Sequence, residues 1–148
     1  MRSLALLATA VFAFAEVRPA PDASHQEQTI SSIRKYAVEQ LAEVGCVQAA
    51  VPNSKTLTVD FEGGHRGPAV EASSLLKEVF APSSNAQFRF DHFAEIGGKK
   101  LAAYAYSYSV AGKNHSGVVY ADQETGAIAR ITFRGESPAH LFCDAAAR

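Results

Sequence analysis

Tyr104, Tyr106 and Tyr108 stand at alternate positions in the run Leu101 to Val110. A period of two is the mark of a strand, because successive side chains leave opposite faces of the pleat. The pattern puts Ala102, Tyr104, Tyr106, Tyr108 and Val110 on one face, and Leu101, Ala103, Ala105, Ser107 and Ser109 on the other. A face of small residues lets a helix approach closely. The tyrosine face needs solvent or partners for its hydroxyls.

This strand is the second of four that fill Gln87 to Arg134. The turns between them are Gly97-Gly98, Ala111 to Asn114 and Asp122 to Gly126. In the first strand Phe88 and Phe90 alternate with Arg89 and Asp91, and the apolar set then moves to Phe93 and Ile96. That change of parity predicts a bulge near Asp91-His92. The third strand, His115 to Ala121, sets Val118 and Tyr120 against Val119 and Ala121. The fourth, Ala127 to Arg134, sets Ala129, Ile131 and Phe133 against Ile128, Arg130, Thr132 and Arg134. Between the last two, Asp122 can accept from the turn backbone and Gly126 can supply positive φ, so they should form an antiparallel hairpin.

Upstream, Ile30, Ile33, Ala37, Leu41 and Val44 recur at steps of three and four. This predicts an amphipathic helix over Gln26 to Val44, with Ser24 and Glu27 as a capping box and Gly45 as its stop. Cys46 to Val51 and Thr56 to Glu62 read as a first hairpin turning at residues 52–55. Gly63 to Pro68 is a connection, and a second helix follows from Pro68 with Val70 or Ala72, Leu75, Leu76, Val79 and Phe80 as its apolar stripe. Helix, two strands, helix and a four-strand meander make an α+β fold, a curved antiparallel sheet of about six strands packed by the N-terminal amphipathic helix. Residues 25–135 form its single domain, 16–24 an irregular leader and 136–148 a poorly ordered tail apart from Leu141-Phe142.

The first residues belong to processing. A positive start at Arg2, an apolar run Leu4 to Phe14 and the small residues Ala13 and Ala15 make 1–15 a signal peptide cleaved after Ala15. We read it so, rather than as a retained anchor or a buried helix, because the three features occur together. The protein is then exported, to the periplasm or outside the cell. No Cys follows the apolar core, which argues against a lipid anchor, and no later run is long enough for a stable membrane span. Cys46 and Cys143 are either a disulfide, which an oxidising compartment permits, or two independent thiols. A net charge of -1 offers no basic field for nucleic acid.

Chemistry is sparse. His25, His65, His92, His115 and His140 show no spacing that sets two imidazoles on one element, so no metal site is expected. His92 and His115 could still meet across strands, with Asp91 or Glu95 near. Asp60 and Glu62 share a strand face, which reads as the wet side of an edge hairpin rather than a carboxylate pair. No nucleophile elbow and no phosphate loop occurs, so no catalytic residue and no cofactor is expected. Tyr104, Tyr106 and Tyr108 are the candidate ligand-binding residues. They form either the wall of an amphipathic groove or a core face whose hydroxyls reach the sheet margin. Lys99, Lys100, Arg89, Arg130 and Arg134 are candidates for a basic rim.

Ser74 to Pro82, Phe88-Arg89-Phe90, Gly117 to Gly126, Arg130-Ile131 and Ile33 to Ala37 carry a resemblance to uncharacterised exported proteins of acidobacteria. That family is in turn distantly similar to the periplasmic carriers of outer-membrane lipoproteins. The resemblance implies a curved antiparallel sheet, closed on one side by helices, around an apolar cavity for acyl chains. This chain is shorter than a full carrier, and the carriers' further C-terminal strands have no counterpart in it. The Asp122 to Gly126 hairpin also resembles the strand-turn-strand of small secreted inhibitor-type domains. No catalytic residues come with either likeness. The expectation is a non-catalytic exported binding module that holds a lipid or other hydrophobic ligand. The alternative is a scaffold domain that binds another protein of the envelope.

Overall fold

The computed structural model describes residues 19–41, 44–53, 56–61, 69–81, 84–135 and 141–143. The expected signal peptide, Glu62 and the expected connection at 63–68, and most of the expected tail lie outside them. The chain is α+β. Helix α1 (Ala23–Gln40) leads into strands β1 (Cys46–Gln48), β2 (Ala50–Asn53) and β3 (Thr56–Asp60). Strand β4 (Ala69–Glu71) and helix α2 (Ala72–Phe80) precede the meander β5 (Gln87–Ile96), β6 (Lys99–Val110), β7 (Lys113–Ala121) and β8 (Ile128–Gly135). Strands β2-β3-β8-β7-β6-β5 form one six-stranded sheet in that spatial order, and β1 pairs with β4 in a separate ladder.

Among the described strands all pairings are antiparallel, those within the meander because short hairpins join its strands. The register carries the apolar faces into line across five strands. One row runs Phe90–Tyr104–Val119–Ile131–Val59 and the next Phe88–Tyr106–Gly117–Phe133–Leu57. The bulge expected near Asp91-His92 lies between Phe90 and His92, and it returns Phe93 to the face that Phe90 occupies.

Both helices lie against this face, so helices cover the tyrosines rather than the small residues. Ile33, Ala37 and Leu41 of α1 share one buried cluster with Leu75, Leu76, Val79 and Phe80 of α2 and with all three strand tyrosines. The α1 end of the face is fixed at the Asp122–Gly126 turn. There the Asp122 carboxylate accepts from the backbone of Glu124 and Thr125, each at 2.8 Å. Gly126 has φ +78° and faces the α1 backbone so closely that a Cβ would overlap the Ser32 carbonyl. Thr29 donates to the Gln123 carbonyl at 3.3 Å, and Gln123 meets His25 at 3.0 Å.

Several sequence expectations need correction. Asp22, not Ser24, caps α1, accepting from the His25 backbone at 2.8 Å, so the helix starts inside the expected leader. It ends at Gln40, with Leu41 as its C-cap, rather than at Val44-Gly45. The single strand expected over Cys46 to Val51 divides between two sheets, which splits it at Ala49. Helix α2 begins at Ala72, because Ala69–Glu71 are extended against β1. Leu141-Phe142, expected to stand apart from the tail, are placed together with Cys143. Leu141 is buried, Phe142 bridges Val70, and the Cys143 backbone donates to Ala69 at 2.9 Å. Cys46 and Cys143 are joined by a disulfide, 97 residues apart in sequence.

Two stability measurements follow. Gly126→Ala should lower the unfolding free energy by about 2 kcal/mol or more, since positive φ and the Ser32 contact both oppose a methyl group. Replacing both cysteines by serine should cost roughly 4 kcal/mol, the loop-closure value for a link of this span. Urea midpoints at unchanged slope check both.

Candidate functional site

The three candidate tyrosines are core residues, only 0%, 2% and 5% exposed for Tyr104, Tyr106 and Tyr108. Their rings are packed in series. Tyr104 meets Phe90 edge-on at 5.6 Å, Tyr106 meets Phe88 at 6.3 Å and stacks on Tyr108 at 6.1 Å, and Tyr108 lies 5.2 Å from His115. Side chains therefore fill the space in which an apolar ligand between sheet and helices would lie. The hydroxyls find separate solutions. Tyr108 donates to the Glu78 carboxylate of α2 at 2.5 Å, and Tyr106 donates to the Thr132 carbonyl at 2.6 Å. Tyr104 makes no hydrogen bond of ordinary geometry from its buried hydroxyl, although Thr29 lies near it.

Tyr106 reaches Thr132 by crossing an entire strand. Its ring occupies the place of a side chain at Gly117, where a Cβ would collide with the Thr132 carbonyl and come within 2.6 Å of the Tyr106 hydroxyl. A glycine inside a strand often marks such a close approach. The Thr132 hydroxyl oxygen meanwhile accepts from the Val118 backbone at 2.9 Å.

On the opposite face this thin place opens into a groove of about 490 Å³ across β5, β6, β7 and β8. Gln87, Ser107, Ser116 and Thr132 give it polar lining, Arg89 and Arg134 give it positive charge, and among the described residues no carboxylate lines it. Ala105 and Val118 supply apolar surface, and Phe88, Tyr106 and Gly117, whose side of the strand faces the helices, complete the floor. A second depression, of about 450 Å³, adjoins it through Gln87 and Ser107.

The remaining candidates do not converge. His92 is exposed on this outer face and meets Asp91 at 2.6 Å, whereas His115 is buried on the inner face between Tyr108 and Phe133. They cannot share a ligand, because β6 pairs His92 with Ala103 and His115 with Tyr108, residues of opposite parity. Asp60 is held by Arg130 at 3.0 Å, and Glu62 lies outside the described residues. Of the expected basic rim, only Arg89 and Arg134 reach the groove. Among the described residues no group of His, Cys, Asp or Glu could hold a metal, and no helix is long and apolar enough to cross a membrane.

The phenols set what chemistry the inner face can do. Burial pushes the Tyr104 hydroxyl up, with the neighbouring Thr29 opposing it. Burial also raises Tyr106 and Tyr108, and the Glu78 carboxylate raises both further. Tyr106 and Tyr108 donate hydrogen bonds and all three phenols hold their protons, so they do not act as bases near neutrality. No family model, no curated protein and no solved structure matches the chain.

The raised phenols fix an alkaline limit. The folded state binds these protons more tightly than the unfolded chain, where a phenol titrates near 10. Stability is therefore complete below pH ~10 and falls as pH rises above it, by as much as about 1.4 kcal/mol per pH unit for each tyrosine. Urea unfolding between about pH 9 and 11.5 measures this, and ionisation of these phenols near pH ~10 in the folded protein would contradict it.

Proposed function

We propose that this chain is a non-catalytic exported binding module that takes an amphipathic ligand on the outer face of its sheet. The observation that carries the reading is the groove of about 490 Å³, which is in the size range of small-molecule sites. Its lining mixes Ala105 and Val118 with hydroxyls and two arginines, so it offers something to both ends of such a molecule. Export rests on the N-terminal pattern of charge, apolar run and small residues. The site differs from the one that likeness to the lipoprotein carriers implies, since the tyrosine face is occupied by the protein's own rings. The lack of catalysis rests on the phenols that keep their protons and on the separation of His92 from His115.

Native mass spectrometry of the protein, purified from the envelope fraction of its own host, tests this directly. The expected spectrum shows a mature chain beginning at Glu16 with a retained amphiphile. Ala105→Leu, which fills the floor of the groove, should lose that adduct while remaining folded. A bare chain in both preparations would contradict the reading.

A further inference from the structure

We propose that the groove is an oxyanion site, in which Arg89 and Arg134 clamp a carboxylate or phosphate group over the facing hydroxyls of Ser107 and Ser116. The inference rests on the reading of the groove as the ligand surface and names the chemistry of the ligand's polar end.

The sheet register builds the site. Gln87, Ser107, Ser116 and Arg134 form one continuous row across β5, β6, β7 and β8. Ser107 and Ser116 are direct cross-strand partners, and both are exposed. Arg134 is the direct partner of Ser116 on the next strand. Arg89 pairs with Ala105, two residues from Ser107, so it is the diagonal neighbour of the serine pair. Directly opposed residues lie about 5 Å apart and diagonal ones about 7–8 Å apart, distances that an arginine side chain spans. Both guanidinium groups can therefore reach one atom group placed over the two serines.

Charge supplies the second argument. Arg130 is engaged by Asp60, and Arg34 lies 4.9 Å over the Phe88 ring. Arg89 and Arg134 form no ion pair among the described residues. Two cations thus flank a groove whose lining, among the described residues, includes no acid. A guanidinium presents paired N–H donors that match two oxygens of a carboxylate or phosphate, and such charge-assisted bonds are about twice as strong as neutral ones. The Ser107 and Ser116 hydroxyls add donors, while Ala105 and Val118 leave an apolar path for a chain. A free anion and the head of an amphiphile share this chemistry.

Amide NMR titrations of the folded protein separate the cases. The probes are sodium acetate, sodium phosphate, and dodecanoate and dodecyl phosphate at concentrations where they are monomeric. The expected result is a change at the amides of Ser107, Ser116 and Thr132. Arg89→Gln and Arg134→Gln should each weaken binding at least tenfold. Ser116→Asp, which puts a negative charge in the groove, should abolish it, and Arg130→Gln should leave it unchanged. Binding of acetate or phosphate alone with this arginine dependence identifies a free anion as sufficient. Binding of the amphiphiles alone assigns the oxyanion to a headgroup. Amphiphile binding at these amides with undiminished affinity in both arginine variants overturns the oxyanion site but leaves the groove as a ligand surface. If none of the probes perturbs these amides, both readings fail.

Discussion

Gly126 stands against the carbonyl of Ser32 with room for hydrogen and nothing larger. This contact seats α1 on the turn between β7 and β8, and the rest of the inner face follows from it. Thr29 and Ile33 come down beside Tyr104, and α2 covers the far end through Phe80 and Glu78. The turn is rigid enough to serve as an anchor because Asp122 accepts two backbone hydrogen bonds within it. The Thr125 amide bond is the larger influence holding that carboxyl below its usual range. Sequence-local turn chemistry and long-range helix docking are here one piece of structure.

Closing the inner face decides what the outer one can be. Three tyrosines are buried in series, and the hydroxyls of Tyr108 and Tyr106 are spent on Glu78 and on the Thr132 carbonyl. The small residues that alternate with them, Ala105 and Ser107 above all, then face away from the helices. Gly117 makes the sheet thin enough for Tyr106 to reach across it, and the groove lies over that place. Packing on one side and a binding surface on the other come from a single alternating strand.

Much of the fold was legible because period-two patterning says which residues share a face. The hairpin of Leu57 and Val59, the bulge near His92 and the Asp122–Gly126 turn all follow from local pattern. The helix limits did not. Ser24 with Glu27 and Gly45 are plausible local signals, but Asp22 offers the earlier cap, and the helix stops with Leu41 as its C-cap. The β1–β4 ladder is three residues on each side, too short to show without knowing its partner. For the site, alternation picked out the tyrosines but could not say what covers them. The groove depends on Ser107 facing Ser116 and on Arg134 facing Ser116, which is register between strands. Gly117, unusual inside a strand, was the one available signal of a close approach.

The division of labour between the two faces is tested most directly by a crystal structure of the protein grown with dodecyl phosphate. The account predicts a phosphate over Ser107 and Ser116 on the outer face, with the rings of Tyr104, Tyr106 and Tyr108 in their present packing. An alkyl chain threaded between α1 and those rings would contradict it.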